Sequence, residues 1–288
     1  MKRSLIALFA LMLSACSSKP QEQPAAVQPP PHPQRIVSIN PCIDAILLDI
    51  ADPRQIAAIS HYSHDLRATS APLEQALHYP VVQETAEAVI AADPDLVLAG
   101  PHVAIQTIDA LKRLGIPLMQ LPVAESVDEN RQQIAQIAER IGRSAQGRQL
   151  NARIDAALAA AQWHGALLPA LIWQGSGLVP GKGTLADELL GRTGFRNMSS
   201  AIGLKQWDLL PLEGLLTRPP AVVLAGQANM GAGDGDANRM LNHPALRKAG
   251  HQIRIADYPS SLLHCGGPVI IRSVARLAQI RRQQEAWR

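Results

Sequence analysis

Apolar positions along this chain recur with two periods, and the change from one to the other marks its elements. Between Ser144 and Gln162 the run SAQGRQLNARIDAALAAAQ sets Leu150, Ile154, Leu158 and Ala161 three or four residues apart, which draws one apolar stripe along a helix. The run is rich in alanine, the best helix former, and no proline interrupts it. Roughly nineteen residues at ~1.5 Å each make a rod of about 28 Å, long enough to link two domains side by side. An ordinary surface helix of a single domain would carry the same stripe.

One pattern occurs on each side of that run. Residues 86–100 read AEAVIAADPDLVLAG and residues 212–226 read LEGLLTRPPAVVLAG. Each copy predicts a short helix with a Glu in its first turn, a proline that ends it, and an all-apolar strand closed by glycine. Glu87 stands as far before Gly100 as Glu213 does before Gly226. A helix followed by an apolar strand is the unit of a mainly parallel sheet covered on both faces. The expected fold is therefore α/β, with one lobe over 35–143, a second over 163–288, and the helix of 144–162 joining them.

The first lobe is expected to hold strands at 35–39, 55–59, 95–99 and 117–121 and helices at 42–50, 85–92, 103–114 and 126–142, with an unusual loop, Ser60-His61-Tyr62-Ser63-His64-Asp65. The second is expected to hold strands at 167–173 and 252–256 and helices at 185–191 and 237–249. Between them fall a Gly-rich loop running to Gly183 and another from Gly226 to Asp236, and an Arg-rich helix ends the chain. Loops that follow strand ends share one edge of an open α/β sheet, the edge where ligands bind.

Composition changes this picture little: the 288 residues are 47% hydrophobic and 18% charged, enough for two globular lobes, and a net charge of +3 gives no argument for nucleic acid. The N-terminus changes it more. Lys2 and Arg3 precede the apolar run Leu5–Leu13, too short to span a bilayer and suited to a signal peptide over 1–15. Leu13-Ser14-Ala15-Cys16 resembles the bacterial lipobox, in which the cysteine is lipidated and becomes the first residue; a plain secretory peptide with an incidental cysteine is the other reading. Pro20, Pro24, Pro29, Pro30, Pro31 and Pro33 then make 16–34 a semi-rigid tether. The folded part is expected on a lipid leash from Cys16, in the periplasm or at the cell surface.

Enzyme signatures fail on residues their chemistry requires. Residues 175–184, GSGLVPGKGT, resemble a phosphate loop, but Ser176 replaces its first glycine and Gly183 its magnesium-binding hydroxyl. Gln174 spoils a nucleophile elbow around Ser176. Asp234, Asp236 and Asn238 begin a calcium loop that Arg239 and Ala245 do not complete. No catalytic set remains.

With four Trp, three Tyr and two Phe, aromatic positions are informative. Tyr62, Trp173, Trp207 and Tyr258 fall at or beyond strand ends or just before the second repeat, where a flat ring suits a large, partly apolar ligand; core filling is the plain alternative. His61, His64 and His264 lie in the same loops with Cys42 and Cys265. Together they could make a soft metal site, yet none has ligand spacing; solvated histidines and a Cys42–Cys265 disulfide suit an oxidising compartment.

RIVSINPCID near the start, the two repeats, the bridging helix and HCGGP near the end resemble the periplasmic binding proteins of iron-siderophore and cobalamin ABC importers, from about Arg35 onward. The resemblance implies a class III periplasmic binding protein: two Rossmann-like lobes on one rigid helix, a ligand cleft between them and little hinge motion. It implies an ABC permease dimer as partner, docked through one acidic residue per lobe, by position Glu87 and Glu213; a favourable charge at a helix N-terminus would also explain each Glu. Ser60-His61-Tyr62-Ser63, and Trp207 ahead of Glu213, are similar to the cobalamin branch, whose aromatic rings cradle the corrin. Val81 and Pro101-His102 depart from that branch where aromatic residues are expected, which leaves a ferric siderophore or heme open. The expected ligand set is His61, Tyr62, His64, His102, Trp173, Trp207, Tyr258 and His264, around a corrinoid or iron chelate carried as cargo by a monomer with no intrinsic cofactor. The rival readings are a secreted enzyme or chelatase acting on such a chelate, and an interaction lipoprotein.

Overall fold

Short, fully apolar strands need cover on both faces, and that need sets the architecture of the protein, seen here in a computed structural model that describes residues 32–174, 177–226, 244 and 254–285. The chain runs β1 (Ile36–Ser38), α1 (Pro41–Ile50), β2 (Ile56–Ser60), α2 (Leu73–Ala76), β3 (Val81–Val82), α3 (Ala86–Ala91), β4 (Leu96–Ala99), α4 (Ile105–Arg113), β5 (Leu118–Gln120) and α5 (Val127–Arg140). After α6 (Ser144–Ala161) come β6 (Leu168–Ile172), β7 (Leu178–Pro180), α7 (Leu185–Arg192), β8 (Phe195–Asn197), α8 (Met198–Ala201), β9 (Trp207–Leu209), α9 (Leu212–Thr217), β10 (Val222–Ala225), β11 (Arg254–Asp257) and α10 (Val269–Glu285). The first sheet has the order β3-β2-β1-β4-β5 and the second β11-β10-β6-β8, every pairing parallel. Both lie within one compact unit, Pro31–Arg288.

Strand alternation divides the core. Ile36, Leu96 and Leu98 of the first sheet and Ala170, Ile172, Val222 and Leu224 of the second face one continuous apolar cluster shared with α1, α5, α6 and α10. Their neighbours Val37, Val97 and Ala99 turn the other way onto Val89, Ile108 and Leu111 of α3 and α4, while Leu171, Val223 and Ala225 pack with Leu210 and Leu215. The stripe of α6 is buried along its length, and that helix packs against α5, α1 and α10. The two repeats become α3–β4 and α9–β10, each strand paired on both sides and next to an edge strand of its sheet.

The stretch expected to be a Gly-rich loop up to Gly183 instead contains β7, which pairs antiparallel with β9 as a separate ribbon. Ser60-His61-Tyr62-Ser63-His64 is a 3-10 turn capped by the Ser60 hydroxyl, not an open loop. Apart from residue 244, the expected helix of 237–249 and the incomplete calcium loop fall outside the described residues, as do the loop Gly226–Asp236 beyond its first residue, Ser176, Cys16 and the signal segment. Among the described residues no helix is long and apolar enough to cross a membrane.

Candidate functional site

Parallel strands deliver their following loops to one edge, and there a cavity of about 480 Å³ opens. One wall is Asn40 after β1, Gly100–His102 after β4 and Leu121–Glu125 after β5; the other is Thr184–Ala186 at the start of α7, Gln206-Trp207 entering β9, and Leu263–Gly266 before α10. Strand order reverses between β1 and β4, the switch point at which open α/β sheets hold ligands. Asn40 shapes this point. Its Oδ1 accepts from the backbone N–H groups of Cys42 and Ile43 at 3.0 and 3.1 Å, capping α1, with Pro41 opening the helix. A Cβ on Gly100 would lie 2.3 Å from Asn40 Nδ2, so any larger residue there would have to displace the Asn40 side chain that caps α1.

The two walls are tied together. Cys42 and Cys265 form a disulfide with Cα atoms 5.0 Å apart. The N–H of Val127 at the start of α5 donates to Glu188 Oε2 on α7 at 2.8 Å, and that of Gly267 to Asn130 Oδ1 at 2.6 Å. The disulfide removes both thiolates from the soft-metal reading, and among the described residues no three His, Cys, Asp or Glu are grouped to hold a metal ion.

Of the expected ligand residues, His102, Trp207 and His264 line the cavity. His264 is exposed at the cavity surface, yet the protein around it withholds enough water to push its imidazole pKa below the ordinary value, which favours the neutral ring able to offer a nitrogen lone pair. Trp207 is 39% exposed. Gln206 beside it has φ +53°, a left-handed backbone held by the Gln206 N–H to Lys182 O at 2.9 Å and the Gly181 N–H to Gln206 O. Gly181 has no room for a side chain, since its Cβ would lie 2.5 Å from Leu204 O.

The other expected ligand residues are elsewhere. Trp173 is 0% exposed: it continues the alternation of β6, falls on the Leu171 face and fills the core beside Val179. Tyr258 is 2% exposed, with its hydroxyl 2.8 Å from Ser273 Oγ and donating to Leu262 O at 3.2 Å; burial pushes its pKa up to about 12. His61 and the exposed Tyr62 stack with ring centroids 4.0 Å apart on the turn after β2, outside the cavity lining, and His64 Nε2 lies 3.1 Å from Ala76 O. Glu87 and Glu213 both stand exposed in the first turns of α3 and α9.

Sequence reasoning missed Glu125, Thr184 and Gln206 on the walls, and it missed Asp44. Asn40 and Gly100 were visible only as a helix start and a strand end. Asp44 is fully buried in α1; its Oδ2 accepts from the Ser60 N–H at 2.9 Å and the Ser63 hydroxyl at 2.6 Å, while Oδ1 has no partner. Burial raises its pKa to about 7 against the pull of those hydrogen bonds and of Ser38.

A family model described as "Periplasmic binding protein" matches residues 36–262. The chain is 25% identical over 221 residues to a cobalamin-binding protein of Halobacterium salinarum, a match covering 74% of this chain and 60% of the relative's own length. Among solved structures it superposes on the periplasmic heme-binding protein RhuT from Roseiflexus sp. RS-1 with TM-score 0.70 and 21% identity, covering 86% of this chain and 96% of that one. The periplasmic vitamin B12 binding protein BtuF of Vibrio cholerae matches with TM-score 0.63 and 16% identity over 88% of this chain and 98% of that one.

Proposed function

The chain belongs to the periplasmic binding protein family, whose members bind solutes and are not enzymes, and from that premise we propose that it captures a corrinoid or similar metal chelate and passes it to an ABC importer. The fold is that of the class III members, and the family implies a periplasmic or extracellular-side location. On this reading 35–143 and 163–288 are the two lobes, 144–162 the helix between them, and the protein works as a monomer held to a membrane by lipid on Cys16 through the tether of 16–34.

The cavity at the strand ends carries the reading. Its volume lies within the usual range for small-molecule sites, roughly 300–1,000 Å³, and it combines one broad aromatic face, Trp207, with two imidazoles, His102 and His264. A flat chelate can lie against the indole while a neutral imidazole faces an open coordination position of its metal. The cobalamin-binding relative favours a corrinoid; a heme or ferric siderophore offers the same combination of plane and metal.

Incubating the purified full chain with cobalamin, cobinamide, heme and ferric siderophores, followed by gel filtration, tests it. One equivalent of an unaltered corrinoid or other chelate should stay with the protein. Chemical conversion of a chelate, or retention of none, would overturn the assignment.

A further inference from the structure

The β7–β9 ribbon carries a charge pattern that the cavity's aromatic and imidazole groups do not account for. Its antiparallel register sets Leu178 opposite Leu209, Val179 opposite Asp208 and Pro180 opposite Trp207, and past the ribbon Lys182 and Lys205 meet at an isolated bridge of parallel type. Opposed and alternate side chains of such a ribbon share a face. Val179 is turned into the core and Pro180 is buried, whereas Leu178, Trp207 and Leu209 are 36%, 39% and 61% exposed. Because Trp207 also lines the cavity, an apolar surface runs from the cavity wall out to its rim.

Both lysines are exposed at that rim: Lys205 adjoins Gln206 and Lys182 stands two residues before Thr184, and Gln206 and Thr184 line the cavity. Like charges opposed across a ladder repel. Among the described residues no carboxylate pairs with either one. The acids nearby bond other groups, and of them only Glu188 has a cationic partner among the described residues, while Asp187 and Asp208 keep their charge. Asp187 accepts from Asn197 and Ser200, Glu188 from Arg192 and the Val127 N–H, and Asp208 from the Leu209 N–H. Glu125 is the only carboxylate among the described wall residues, and it belongs to the opposite wall. Lys182 and Lys205 thus stand on the ribbon side without an ion-pair partner among the described residues, and Glu125 stands across from them.

We propose that Lys182 and Lys205 select a chelate whose rim carries anionic carboxylates, and hold that edge on the ribbon side while the macrocycle lies on Trp207. The inference rests on the solute-binding reading of the cavity and adds the charge of the solute to it. Glu125 repels the same edge, so the two walls together favour one orientation.

The test compares ligands that share a ring and differ in rim charge: heme against its dimethyl ester, and a corrin with free carboxylates against the corresponding corrin amide, titrated into the full chain by calorimetry. The carboxylated form of each bound ring should bind about tenfold more tightly, the size expected of two exposed charge pairs, and added salt should erode the difference. Lys182→Gln with Lys205→Gln should abolish the preference while leaving the ester and amide affinities within about twofold, which also shows that the variant is folded. Equal affinity for charged and uncharged rims, or a preference that survives the double substitution, overturns the proposal. Binding of no chelate in either form overturns it together with the reading of the cavity, a result distinct from binding without charge preference.

Discussion

Asp44 holds the turn after β2 through the Ser60 N–H and the Ser63 hydroxyl, and it does so from a site that disfavours its charge. In the unfolded chain this carboxyl loses its proton near pH 4, in the folded protein near 7. Between those values the folded state holds a proton that the unfolded state has released, so stability is full below pH 4 and falls as pH rises through 7. At ~1.4 kcal/mol per unit the loss is about 4 kcal/mol at most. Asp44→Asn cannot ionise and should flatten this profile: its melting temperature should exceed the parent's at about pH 8 and approach it at about pH 5. A variant that declines as steeply as the parent would assign the effect to another group. Single residues were read unevenly from the sequence. The strand period places Trp173 with Leu171 in the core, but a ring at a strand end also suits a ligand, and only packing separates the two. Asp44 stands inside the apolar run Ile43–Leu48, a visible anomaly whose partners, Ser60 and Ser63, no local pattern announces.

Elements with a sustained period were legible. The buried stripe of α6 and the helix–strand repeats follow directly from spacing, because each repeat must bury an apolar strand and cover it with its helix. The β7–β9 ribbon was not legible: its strands are three residues long, one contains Pro180, and their pairing depends on the left-handed backbone of Gln206, which no residue type marks. The repeats also put Glu87 and Glu213 in equivalent first turns, both exposed, where a carboxylate gains only ~0.3–1 kcal/mol from the helix dipole. If these two acids dock a permease, replacing both with alanine should leave chelate affinity unchanged while lowering uptake into vesicles that contain the partner importer. Unimpaired uptake would leave the dipole as their whole role.

At the scale of the molecule, one apolar cluster runs through both sheets by way of α1, α6 and α10, and the disulfide and the Glu188 and Asn130 hydrogen bonds cross at the cavity. The repeats suggest two lobes, but nothing periodic tells how far their cores merge, since that depends on contacts between residues distant in sequence. The bond between Cys42 and Cys265 spans 223 positions, and in the chain-entropy account closing so long a loop stabilises by roughly 5 kcal/mol, an upper figure where the unfolded chain is compact. Adding reductant should lower the denaturation midpoint, Cys42→Ser should reproduce the shift, and the unreduced, unfolded protein should show neither thiol; two free thiols there would remove the bond from the account. Topologically, the same bond makes the stretch from Cys42 to Cys265 a closed ring, with the N-terminal residues and α10 hanging from it as tails. One proteolytic cut anywhere in that ring opens it without releasing a fragment, and the cavity walls, which apart from Asn40 and Gly266 belong to the ring, stay on one covalent molecule. Outside the cytoplasm, where proteases meet exposed loops, separating the walls takes either a second cut or a reductant.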